Sequence, residues 1–371
     1  MNIVRVLIFS MPLVVWADDS DLTCEANTTE SIYYVSCHLG INSTPSKLTI
    51  QSILDGANSV NEGSTIALTT LSYWQAWGAK GGRSKGDGKG NNEKGGHRGY
   101  SEFFSSLESL GSKGSALAVK QEVNMLWGKN GRKTESCGLC TVGRGTGGSS
   151  TLFWVDNTQY NDDGSVKDDS PRKQDIILIA GGGGGAGKSD KGYAGGQVCQ
   201  ILLSDKDDTF CGKKEILAKN TDSTYVIGVY GKGKGDGGGG GALAEGGSLS
   251  GNKGEDGMGG KGGQSGGASS TTWYGADNFE FTDDYKEGKG GHSRAGGGGG
   301  FGGGANSGNG GGGGGSFAIK SVEVSEDLQA IIPYLREKNH THGRSGSEAA
   351  MTFFPEYVTQ EVSLLVVEQD K

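Results

Sequence analysis

Apolar, strand-forming segments in this chain run directly into tracts of bare glycine, and the junction recurs. Ile176-Ile-Leu-Ile-Ala180 is followed by Gly181–Gly185. Trp74–Trp77 and Tyr225–Tyr230 lead into further glycine tracts, and Gly310–Gly315 leads out into Phe317–Ile319. A flexible spacer does not need the same apolar lead-in each time. The pattern therefore predicts a folded scaffold that projects glycine tracts. Glycine accounts for 73 of 371 residues, against a usual share of about 7%. With no Gly-X-Y period and only 5 prolines, a collagen triple helix is excluded.

Glycine loses more freedom on ordering than any other residue. A dozen ordered glycines oppose folding by on the order of 10–20 kcal/mol, as large as a domain's net stability of about 5–15 kcal/mol. Only contact between tracts offsets that loss. A polyproline II helix has three residues per turn and no internal hydrogen bonds, so its N–H and C=O groups turn sideways to neighbours. The expected fold class is all-β: β-sandwich-like sheets with projecting glycine tracts packed as a polyproline/polyglycine II helix bundle. The purest tracts, Gly181–Gly185, Gly237–Gly241, Gly296–Gly304 and Gly310–Gly315, are assigned to the bundle. Mixed tracts rich in Lys, Asn and Asp are expected to be mobile. Paired strands flanking each tract read as hairpins of one sheet with the glycines at their tips.

Residues 1–17 read as a signal peptide, with Arg5 ahead of an apolar Val6–Trp16 and cleavage after Ala17. Residues 18–62 read as a small N-terminal module, 63–355 as the glycine-rich β domain and 356–371 as a C-terminal strand and tail, with Pro355 as the divide. Helical signal is weak; Ser325–Glu337 has a cap and first-turn acids, but Pro333 interrupts it. No later segment has the roughly 18 continuous apolar residues of a membrane span. For an exported chain the six cysteines imply disulfides. Sequence proximity favours Cys24–Cys37, Cys137–Cys140 and Cys199–Cys211. A redox-active Cys137-Gly-Leu-Cys140 is the alternative, without the strand–helix setting of a thioredoxin motif. Asn27, Asn42 and Asn339 stand in glycosylation sequons.

The net charge of −8 argues against nucleic acid as a partner. Lys80–Arg98 is the local exception, with Lys80, Arg83 and Lys85 at its start. It reads as a solvated loop tip or as a loop that docks polyanions or acidic glycans. Gly182-x-x-x-x-Gly187-Lys188-Ser189 matches the phosphate-binding P-loop, but the following Asp190–Gly196 is a poor helix, and the chemistry needs a helix N-terminus. Asp156–Asp169 is oxygen-rich but misses calcium-loop spacing at Gln159 and Ser170. His340-Thr-His342 reads as a loop without partners for a closed metal site. No cofactor and no metal are expected. Trp74, Trp77, Trp127, Trp154 and Trp273 read as core; Tyr193, Tyr274 and Phe301, in or near glycine tracts, read as exposed binding candidates.

Ile176–Gly185, Gly192-Tyr-Ala-Gly-Gly196 and Gly296–Ser316 with Phe301 inside it give the chain a resemblance to the glycine-rich extracellular domain of the anaplastic lymphoma kinase and leukocyte tyrosine kinase receptors, over roughly Ser64–Phe354. Similar modules occur in phage adhesins and secreted microbial proteins. The resemblance implies a glycine-helix bundle inserted in a β-sandwich and a domain that binds protein ligands. It does not carry over receptor signalling, since no transmembrane helix or kinase domain is evident. The expected function is a secreted, non-enzymatic binding protein, an adhesin or ligand-binding module for an extracellular protein or glycan. A self-assembling matrix or coat protein, a secreted hydrolase in an unfamiliar scaffold and an ice-binding glycine face are the alternatives.

Overall fold

The computed structural model describes residues 22–39, 46–84, 94–110, 122–126, 128, 130–131, 145, 147–148, 150–155, 159–160, 166–168, 176–187, 190–200, 226–229, 300, 310–340 and 348–358. Strands dominate. One six-stranded sheet runs, in spatial order, Leu22–Thr29 (β1), Ile32–Leu39 (β2), Glu348–Val358 (β14), Thr70–Trp77 (β4), Tyr100–Ser106 (β5) and Gln197–Val198 (β11). The other runs Val226–Val229 (β12), Ser316–Ile319 (β13), Ile176–Ala180 (β10), Thr151–Val155 (β7), Glu122–Leu126 (β6) and Ser46–Thr49 (β3). Gln159–Tyr160 (β8) and Val166–Asp168 (β9) pair inside the oxygen-rich stretch weighed for calcium.

The two sheets share one apolar core. Val35, Trp74, Phe103, Met351 and Phe353 from the first meet Val123, Met125, Phe153 and Leu178 from the second. Trp74 and Phe153 touch edge to face with centroids 6.1 Å apart. Trp74 and Trp77 are buried, as expected.

Two helices complete the packing. Ile50–Val60 (α1) starts at Thr49, whose hydroxyl accepts from the Ser52 amide at 3.0 Å. Its Ile50, Ile53, Leu54 and Ala57 form one buried face in the shared core. Glu326–His340 (α2) covers the other face of the first sheet, where Leu328, Ile331, Ile332 and Leu335 pack on Tyr34, Leu71, Tyr73, Phe104 and Phe354. Pro333 sits inside α2 without ending it. An interior proline costs about 3 kcal/mol. Each of four buried aliphatic side chains returns about 1.5–3 kcal/mol, so packing wins.

Several expectations are corrected. Residues 22–60 are not a separate module: β2 hydrogen-bonds β14, and α1 lies in the common core. Pro355 does not divide the chain, because β14 runs through it with a register shift between Phe354 and Val358. The β4–tract–β5 unit is a hairpin, with Trp77 opposite Tyr100. The β10–tract–β11 unit is not: β10 belongs to one sheet and β11 pairs parallel to β5 in the other. The glycine tract between them is a crossover.

Cys24 and Cys37, directly opposite on β1 and β2, form a disulfide. Cys199 is also disulfide-bonded. Its expected partner Cys211 lies outside the described residues, as do Cys137, Cys140, Asn42 and the expected signal peptide. No helix among the described residues is long and apolar enough to cross a membrane.

Candidate binding surface

The glycine tracts leave the two sheets side by side and bond to one another. Segment 181–187 is at the centre. Its carbonyls accept in strict rotation from three neighbours. Gly181 and Gly184 accept from the Gly99 and Gly96 amides at 2.6 and 2.7 Å. Gly182 and Gly185 accept from Gly314 and Gly311, both at 2.9 Å. Gly183 and Ala186 accept from Gly148 and Gly145 at 2.7 and 2.8 Å. Every third residue meets the same neighbour. Its own amides point elsewhere: Gly183 and Ala186 donate to the Ala79 and Gly82 carbonyls, both at 2.9 Å, and Gly184 donates to the Tyr193 carbonyl at 2.8 Å. Four amides of this would-be P-loop, those of Gly183, Gly184, Ala186 and Gly187, are thus already bonded to protein carbonyls, and the described residues that follow, 190–200, form no helix.

The same period of three governs the outer tracts. Gly78 and Gly81 donate to the Gly99 and Gly96 carbonyls, at 3.1 and 3.0 Å. Gly192 and Gly195 donate to the Lys94 and His97 carbonyls, both at 3.0 Å. Glycine stands where a tract faces its neighbour, since a Cβ on Gly81, Gly96 or Gly192 would lie within 2 Å of a backbone oxygen. The residues that point away carry side chains. Lys80 and Arg83 on one tract, Lys94 and His97 on the next and Lys191 on the third are all exposed. The hydrogen-bond register sets Lys80 beside His97, and Arg83 beside Lys94, with Lys191 alongside Lys94. The described parts of the mixed tract between β4 and β5, 78–84 and 94–99, thus bond to their neighbours, while 85–93, where most of its Lys, Asn and Asp fall, lie outside the described residues. The described parts are mixed because they lie at the surface of the bundle, whereas 181–185 and 310–315 are bare because they are buried.

Of the expected binding residues, Lys80 and Arg83 lie on this face. Tyr193 is half-buried rather than exposed; burial and the nearby Asp190 push its hydroxyl pKa up. Lys85, Tyr274 and Phe301 lie outside the described residues. The basic stretch Lys80–Arg98 already took in Lys94; sequence reasoning missed His97 and Lys191 as members of the same face. The signal was present in Lys80-Gly-Gly-Arg83 and Lys94-Gly-Gly-His97, two tetrads with side chains three apart.

Beneath the base of the bundle lies a buried polar cluster. Glu102 accepts from Arg336 at both oxygens, from the Tyr73 and Tyr100 hydroxyls and from the Gln200 amide at 3.0 Å. Gln200 also bridges the sheets by donating to the Glu102 and Ile319 carbonyls, at 2.8 and 2.7 Å. Gln75 donates to the Tyr100 hydroxyl at 2.8 Å and accepts from Asn339 at 2.6 Å. Asn339 is thus a buried helix residue and not a surface sequon, which corrects its assignment as a glycosylation candidate. Asn27, on the edge strand β1, is half-exposed.

His340 is the last residue of α2, not part of a loop. Its ring lies 5.7 Å from Trp77, and its Nε2 lies 3.4 Å from Arg98. Burial, then the charges of Arg98 and Lys80, lower its pKa to about 4. Because the folded value is below the usual one of about 6.5, His340 favours the fold above pH 6.5 or so, and that contribution drains away as pH falls towards 4. An NMR titration of the His340 ring should find its midpoint near pH 4; a midpoint above 6 would contradict the packing described. No group of three metal-type ligands is present among the described residues. No protein-family model matches the chain, and neither a curated protein nor a solved structure matches it.

Proposed function

We propose that this chain is an exported, non-enzymatic binding protein in which a β-sandwich carries glycine tracts packed as polyglycine II helices, and that the outward side chains of those tracts meet an extracellular protein or glycan. One observation carries the reading: the carbonyls of residues 181–186 serve three neighbours in turn, with period three. That is the lateral bonding a three-residue helix requires. It makes the tracts a rigid plate rather than a fringe, and a rigid surface binds without first losing loop entropy. Two packed sheets with a common core support the sandwich. The Arg5–Ala17 leader and the Cys24–Cys37 disulfide support export. The kinship proposed with the receptor glycine-rich domains rests on the same tracts.

Probing the secreted chain on a protein and glycan array, alongside sedimentation and an ester and peptide hydrolysis panel, tests this. A monomer or small oligomer that captures a ligand is expected. Large polymers would favour a coat or matrix protein. Turnover without capture would favour a hydrolase.

A further inference from the structure

We infer that the outward rows of tracts 78–84, 94–99 and 190–196 form a docking face for a linear acidic polysaccharide. The inference rests on the binding role proposed above and names its partner class. Three features of the face carry it. First, its basic side chains are in register. A helix of three residues per turn advances about 9 Å per turn. Lys80 and Arg83 therefore repeat at that interval along one tract, and His97 and Lys94 along its neighbour, at matching heights. Arg83, Lys94 and Lys191 make one transverse row of three cations from three separate tracts.

Second, none of Lys80, Arg83, Lys94 and Lys191 forms an ion pair with another described residue. Asp190 is the single acid within the three segments, in a chain whose net charge is −8. Third, the cations are mounted on a bonded plate. Both residues between each pair on a tract are glycines, and Gly81, Gly95 and Gly96 among them are locked against a neighbouring carbonyl. The array is held open without the ordering cost that a flexible basic loop would incur on binding.

The spacing selects the partner. Nucleic acid carries a phosphate about every 3.4 Å along each strand, so cations about 9 Å apart would leave most phosphates unanswered. A polysaccharide with one or two acidic groups per repeating unit presents a sparser row.

The secreted full chain is to be titrated with chondroitin sulfate, which carries two acidic groups per disaccharide, across a salt series, with neutral dextran and a short duplex DNA as comparison probes. The variants are Arg83→Gln, Lys94→Gln and Lys191→Gln, singly and together, with Lys320→Gln as the control on an exposed lysine outside the tracts. Wild type should bind chondroitin sulfate more tightly than the duplex and leave dextran unbound. Each single change should weaken chondroitin sulfate binding about fivefold, and the triple about 100-fold, on the scale of one cation facing an anionic surface. The slope of log affinity against log salt should fall by about two in the triple variant. Lys320→Gln should change nothing, and a thermal melt should show the triple variant folded. No chondroitin sulfate binding by wild type, an undiminished triple variant, or equal binding of duplex DNA overturns the inference. Failure here with a captured ligand on the array removes the polysaccharide and leaves the binding role standing.

Discussion

Gly184→Ala is expected to destabilise the protein by more than about 4 kcal/mol, enough to unfold the bundle and much of its support. An added Cβ at Gly184 would lie 1.9 Å from the Gly311 carbonyl oxygen and 2.4 Å from its carbon. Both are backbone atoms, so no rotamer change relieves the overlap. Moving segment 184 outward breaks the Gly96 amide's bond to its carbonyl and its own bond to Tyr193, at 2.7 and 2.8 Å. Moving Gly311 instead breaks its bonds with Gly185 and Tyr193, both at 2.9 Å. Either way two buried pairs separate, and each group left unsatisfied costs about 1–3 kcal/mol. The entropy that alanine removes from the unfolded chain returns only about 0.4–1 kcal/mol. Lys94→Ala introduces the same side chain on an outward position and should stay within about 0.5 kcal/mol of wild type. Urea melts of the two variants measure the contrast. A Gly184→Ala melt indistinguishable from that of Lys94→Ala, or fast amide exchange across Gly181–Gly185, would mean that the tracts do not pack.

That contrast also marks where the sequence could be read and where it could not. The strands at Trp74–Trp77, Ile176–Ala180, Phe317–Ile319 and Met351–Phe354 were visible because each is a short apolar run ending at glycine or proline. Bundling followed from the entropy of glycine, and its pairing partners did not: glycine tracts look alike, and no side chain records which neighbour each one faces. Helix α1 was missed although Ile50, Ile53, Leu54 and Ala57 have helical spacing behind a Thr49 cap. Attention to the flanking strand pattern hid it. Helix α2 was cut short at Pro333 because local propensity cannot anticipate the tertiary packing of Leu335 beyond it. The same error put His340 in a loop and left Asn339 as a glycosylation candidate. On the candidate face, Lys80, Arg83 and Lys94 were visible as charge in a glycine context. His97 and Lys191 join them only once the three-residue register between tracts is known.

Glu102→Gln is expected to cost about 3–5 kcal/mol and to change how stability responds to acid. Glu102 and Arg336 are both buried. Glutamine keeps the shape of the side chain but leaves the Arg336 guanidinium buried without its counter-charge, and water cannot reach it to compensate. Burial raises the Glu102 pKa, but the Arg336 charge and its hydrogen bonds, with those from Tyr100 and Tyr73, outweigh it and hold the carboxyl below its ordinary range. The folded state therefore binds this proton less readily than the unfolded chain. Its contribution is complete above the unfolded glutamate value of about 4.3 and is lost as pH falls through the lower folded value. Denaturant melts between pH 7 and pH 3 should show this decline in wild type and a shallower one in Glu102→Gln. Arg336→Met should also destabilise, because it strands the carboxylate instead. The double variant Glu102→Gln/Arg336→Met leaves neither charge uncompensated, so its loss should be smaller than the sum of the single losses by about 0.5–3 kcal/mol. Strict additivity would mean that the two groups act independently, and a Glu102→Gln loss under about 1 kcal/mol would mean that the pair does not hold α2 on the sheet.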